Sequence, residues 1–87
     1  MIQIKKKSGQ EFMVIVEEGG DKTDYAVTLD GEYYRRLTGG KITEEELIKK
    51  SFQFLLERES KESIFSRFNL RVIKNYFPEY EREIKLL

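Results

Sequence analysis

Apolar residues alternate with polar ones through the first third of the chain. Ile2 and Ile4 alternate with Gln3 and Lys5, and a Ser8-Gly9-Gln10 turn follows. Phe12-Met13-Val14-Ile15-Val16 is apolar on both faces, and Glu18-Gly19-Gly20-Asp21-Lys22 turns the chain again. Tyr25, Val27 and Leu29 then alternate with Asp24, Ala26 and Thr28. Period-two runs separated by short Gly-containing connections predict a three-stranded antiparallel meander. The richest run belongs on the middle strand, which both neighbours protect. Ile2, Ile4, Phe12, Val14, Val16, Tyr25, Val27 and Leu29 are then assigned to the core face. Met13, Ile15 and Ala26 fall on the opposite face, where an open sheet would normally present polar side chains.

From Asp30 onward the period lengthens. Asp30 is placed to cap a short helix over Glu32 to Leu37, which Gly39-Gly40 ends. Thr43-Glu44-Glu45-Glu46 is a capping box: the Thr hydroxyl and the third Glu can each satisfy an orphan backbone N–H. A helix from Glu44 to about Arg58 comes next. At about 100° per residue, Leu47, Ile48, Phe52, Phe54, Leu55 and Leu56 cover roughly 200° of its surface. That arc is too wide for one sheet to bury, so the helix is expected between the sheet and the segment after it. Ser60 is assigned as cap of a helix over Lys61 to Phe68, and Asn69 as cap of one over Leu70 to Phe77. Pro78 suits the first turn of a last piece reaching Leu86, with a bend near Phe77 because proline disfavours the helical conformation before it. The fold expected is α+β, one domain over residues 1–87. Residues 1–30 form the meander; a short helix, one long amphipathic helix and two or three short C-terminal helices in 31–87 pack on it.

Composition supports folding and removes much chemistry. Leu, Ile, Val and Phe supply 26 of the 87 residues, above the roughly 20% below which chains tend to stay disordered. With no Cys and no His, imidazole bases, catalytic triads, thiolate nucleophiles, zinc fingers and iron–sulfur sites are excluded. Six Phe and five Tyr must fill a core that no disulfide staples. Sixteen basic residues balance sixteen acidic ones, and each half balances as well, seven against seven through Thr43 and nine against nine thereafter. Neither half reads as a charged tail. Met1 to Lys7 lacks the apolar region of a secretory signal, and no apolar run approaches a membrane span, so the expected location is the cytoplasm.

Four groups of residues could carry chemistry. Gly39-Gly40-Lys41-Ile42-Thr43 precedes a helix as a phosphate loop would, but Arg35 stands where a P-loop needs Gly, and Ile42 where it needs Ser or Thr. Arg67, Arg71 and Lys74 share one side of the expected helices at i, i+4 and i+7, a stripe able to neutralise phosphates, with Tyr76 or Tyr80 near enough to stack on bases. Glu17, Glu18, Asp21, Asp24, Asp30 and Glu32 cluster near turns without the alternating oxygen ligands of a calcium loop. Tyr33-Tyr34-Arg35-Arg36 has the composition of an interface hot spot, with one tyrosine expected in the core and the other half-exposed.

The stretch from Ser51-Phe-Gln-Phe-Leu-Leu-Glu-Arg-Glu through Lys61-Glu-Ser-Ile to Asn75-Tyr-Phe-Pro-Glu-Tyr-Glu-Arg-Glu-Ile84, with Tyr33-Tyr34-Arg-Arg-Leu-Thr-Gly-Gly40 before it, resembles a group of small prokaryotic proteins without an assigned activity. The resemblance implies no catalytic residue. Tyr25-Ala-Val-Thr-Leu-Asp30 followed by Thr43-Glu-Glu-Glu46 is similar to an antitoxin family that pairs a small sheet with a helix, although that family's Pro-Gly-rich segment is missing. It implies a partner-binding protein. The function expected is therefore non-enzymatic association with a cognate protein or a second copy, without cofactor or metal, through Met13, Ile15, Tyr33 and Tyr34. The alternative is nucleic-acid binding through Arg67, Arg71 and Lys74.

Overall fold

The structure, a computed structural model, describes residues 1–85. The meander forms as the alternation predicts: β1 (Ile2–Ser8), β2 (Glu11–Glu18) and β3 (Asp21–Thr28) pair antiparallel in that order. Gly9 makes the first turn at φ 41°, and Gly19 and Gly20 the second at φ 58° and 88°, backbone that residues with a Cβ rarely adopt. The register sets Ile4 beside Val14 and Val14 beside Tyr25, so the inward residues of the three strands form one apolar sheet face.

Helix α1 (Gly31–Thr38) ends on Gly39 at φ 65°, whose N–H donates to the Arg35 carbonyl. Asp30 stands at the N-cap position, but its side chain makes no capping bond; it pairs instead with Arg71 at 3.1 Å. Helix α2 (Glu44–Leu56) begins with the expected capping box. Thr43 Oγ1 accepts from the Glu46 N–H at 3.0 Å, and Glu46 Oε1 accepts from the Thr43 N–H at 2.9 Å. These bonds, the one to the Thr43 backbone foremost, hold the Glu46 carboxyl below its ordinary pKa.

The wide apolar arc of α2 is shared between two neighbours. The Phe52 ring lies 5.1 Å from Tyr25 of the sheet and 6.0 Å from Phe68. The Phe54 ring meets Phe77 at 5.8 Å and Tyr80 at 5.2 Å in the C-terminal segment. Eighteen buried apolar side chains, Phe12, Val27, Leu47 and Phe52 among them, form one continuous core.

The region after α2 departs from expectation. A helix over Lys61 to Phe68 does not form: one 3₁₀ turn (Lys61–Ser63) is followed by extended chain and a fourth strand, β4 (Arg67–Asn69), parallel to β3. The sheet order is β1-β2-β3-β4. Bonds to β3 draw the segment away from helix. The Ser66 carbonyl accepts from the Ala26 N–H at 2.8 Å, the Lys61 carbonyl from the Tyr25 hydroxyl, and Lys61 Nζ donates to the Asp21 carbonyl at 3.2 Å. Ser60 makes no capping bond. Asn69 does act as a cap, its Oδ1 accepting from the Arg71 N–H at 3.0 Å, and a 3₁₀ turn (Leu70–Val72) runs into α3 (Ile73–Tyr76). The backbone breaks at Phe77, at φ −131° and ψ 89°, and Pro78 lies in the turn before α4 (Tyr80–Lys85). The expected end of this last helix at Leu86 lies outside the described residues.

Candidate functional site

Among the described residues, every helix lies on one side of the sheet. Helix α4 packs on α1, α2 and α3, and α2 packs on β1. The Tyr80 hydroxyl locks this arrangement: Ser51 Oγ donates to the Leu47 carbonyl at 2.8 Å, which leaves Tyr80 as donor in the 2.6 Å bond to Ser51. Burial pushes the Tyr80 phenol well above its ordinary range.

The other sheet face is left without a helix among the described residues. The pairing register and strand alternation assign it two central rows, Lys5–Met13–Ala26–Arg67 and Gln3–Ile15–Asp24. Met13, Ile15 and Ala26 are neither buried nor part of the core, each keeping partial exposure. They stand at the centre of the sheet with charged side chains around them. On this face Glu11 also reaches Arg67 at 3.4 Å.

The two tyrosines separate as expected, one inward and one half-exposed. Tyr33 is 1% exposed and its hydroxyl donates to Glu81 at 2.9 Å. Burial, and then that bond, raises its pKa far above the usual phenol value. A side chain this enclosed offers a partner no contact surface, so Tyr33 leaves the set of interface candidates. Tyr34 is half-buried against the core, its hydroxyl donating to the Ile42 carbonyl.

The basic stripe does not assemble on one helical side. Arg67 lies in β4, Arg71 in the 3₁₀ turn and Lys74 in α3. Each cation also faces an acid: Arg67 with Glu11, Arg71 with Asp30, and Lys74 with Glu81 at 3.8 Å. Arg71 and Lys74 both lie 5.7 Å from the Tyr33 ring centre, joining α1 to the C-terminal segment. Such pairing lowers the positive field available to a phosphate backbone.

One feature of the C-terminal region escaped the sequence. Phe65 and Tyr76, 55% and 60% exposed, meet edge to face at 5.7 Å beside a groove of about 140 Å³ between the end of α2, the segment before β4, and α3. Leu55, Phe68 and Phe77 are among its lining residues, and Glu59 is the one acidic residue there. Helical spacing assigned Phe65 to a helix that does not exist, which hid its approach to Tyr76.

Among the described residues no group of three or more acidic, His or Cys side chains could hold a metal ion, and no helix is long and apolar enough to cross a membrane. Comparison with protein-family descriptions, curated proteins and solved structures finds no match.

Proposed function

We propose that the protein is a non-catalytic association module that pairs with a second copy of itself through its helix-free sheet face. One observation carries the reading: Met13, Ile15 and Ala26 sit together at the centre of a sheet face that no element of the described residues covers. An apolar cluster there loses unfavourable contact with water when another surface closes over it. Self-pairing suits its charges. Consider a two-fold axis between the facing sheets, across the strands and midway between the rows of Met13 and Ile15. It sets Met13 against the partner's Ile15 and brings Arg67, one strand from Ala26, beside the partner's Asp24. Each symmetric contact occurs twice.

Charge reversal tests this pairing. Asp24→Arg and Arg67→Asp should each shift the chain from dimer to monomer in sedimentation equilibrium, and the double variant should recover the dimer. A parent that stays monomeric through the accessible concentration range, or single variants that remain dimeric, would overturn the reading.

A further inference from the structure

Independently of the paired sheets, we infer that the groove between α2 and α3 is a receptor for one arginine side chain of a partner polypeptide. Its lining combines two things. Phe65, Phe68, Tyr76 and Phe77 provide aromatic surface, and Glu59, the one acidic residue in the lining and itself only partly exposed, has no cation within salt-bridge distance among the described residues. An aliphatic occupant would cover that carboxylate without replacing its hydration, and an acidic occupant would be repelled. A guanidinium meets both halves of the lining: its plane stacks on aromatic faces, and its N–H fork reaches a carboxylate. It is also less strongly hydrated than an ammonium, which favours arginine over lysine in a partly apolar groove.

The chain already makes this combination internally. The Arg58 guanidinium carbon lies 3.7 Å from the centre of the Phe54 ring, while Nε reaches Glu79 at 3.2 Å and Nη2 reaches Glu83 at 3.0 Å. At the groove, aromatic rings and a carboxylate are present and the cation is not supplied by the described residues. The exposed edge-to-face pair of Phe65 and Tyr76 belongs to the groove lining, so its aromatic surface is accessible to an arginine on an extended peptide.

The test is an NMR titration of the full-length ¹⁵N-labelled protein with acetyl-Gly-Arg-Gly-amide, and with the same peptide carrying citrulline or norleucine in place of arginine. The arginine peptide should give saturable shifts concentrated at Glu59, Phe65 and Tyr76. Citrulline, nearly the same shape without charge, and norleucine should each bind about tenfold more weakly. Glu59→Gln should weaken the arginine peptide to the citrulline level and leave citrulline binding unchanged. Equal binding of the three peptides, preference for norleucine, shifts that survive Glu59→Gln, or no saturable shift would overturn the assignment. Concentration-dependent shifts of the same amides without peptide would assign the groove to a second copy and overturn it too. If Glu59→Gln fails to fold, the citrulline comparison on the wild-type chain decides. Repeating the titration with Met13→Lys, Ile15→Lys protein separates failure here from failure of sheet pairing.

Discussion

The two faces of the sheet are built from alternate residues of the same strands, yet they meet different surroundings. On one, Phe12, Val14, Val16 and Val27 are completely buried under α2 and the segments around it. On the other, Met13, Ile15 and Ala26 retain partial exposure one residue away along the same backbone. Their residue types differ less than their surroundings do. The turns, the capping box and the connections that send every described helix to one side decide which apolar side chains become core and which stay partly exposed. A strand apolar on both faces thus presents two surfaces that water disfavours, of which the described residues bury one.

Truncation on each face gives the sharpest contrast. Phe52→Ala, which removes the ring that packs on Tyr25 and Phe68, should cost about 3–5 kcal/mol of stability by urea denaturation, because side chains enclosing that ring cannot easily collapse into the space. Met13→Ala, measured on the dissociated chain, should change stability by no more than about 1 kcal/mol. Equal losses would mean that the second face is internally buried after all.

Alkaline pH attacks the helix-covered side selectively. Tyr33 and Tyr80 have phenol pKa values raised in the folded state, chiefly by burial. Their contribution is therefore fully present below the unfolded value of about 10 and is lost as pH rises beyond it. Stability should fall above pH 10 with a slope of up to about 1.4 kcal/mol per pH unit for each tyrosine. Urea midpoints recorded from pH 9 to 12 check this, and the slope should lessen in Tyr80→Phe.

At neutral pH, Tyr80→Phe removes the donor to Ser51 while Ser51 keeps its bond to Leu47, so a loss of about 1 kcal/mol is expected. Thr43→Ala, which breaks the capping box at the exposed start of α2, should cost a similar amount of about 1 kcal/mol or slightly less. Neither change should alter association if the sheet face is the interface, and sedimentation of both variants provides that control.

The meander and α2 were legible in the sequence because each carries its signal locally. Strict alternation between glycine turns marks strands, and Thr43 with Glu46 marks a helix start. The division of Tyr33 and Tyr34 into one buried and one half-exposed side chain was legible too, although which was which was not. The fourth strand was not legible. Three residues, Arg67 to Asn69, are too few for a periodic signal, and their extended form depends on parallel pairing with β3, some forty residues earlier. A helix there would align Arg67, Arg71 and Lys74 in a basic stripe; with Arg67 on a strand, these cations instead find acids distant in sequence, as Arg67 does with Glu11. The placement of Met13 and Ile15 on the face opposite the core followed directly from alternation. Whether α4 would cover them did not, because that depends on the bend at Phe77 and on the buried bond between Tyr80 and Ser51.

The most direct measurement is sedimentation equilibrium of the wild-type chain and of Met13→Lys, Ile15→Lys across a wide concentration range, with circular dichroism to monitor the fold. Pairing through the open sheet face predicts a concentration-dependent dimer for the wild type and a folded monomer for the variant, because two lysines on the facing rows would be driven together and desolvated in the dimer. A wild type that remains monomeric at every concentration, or a variant that dimerises as strongly as the parent, would contradict it.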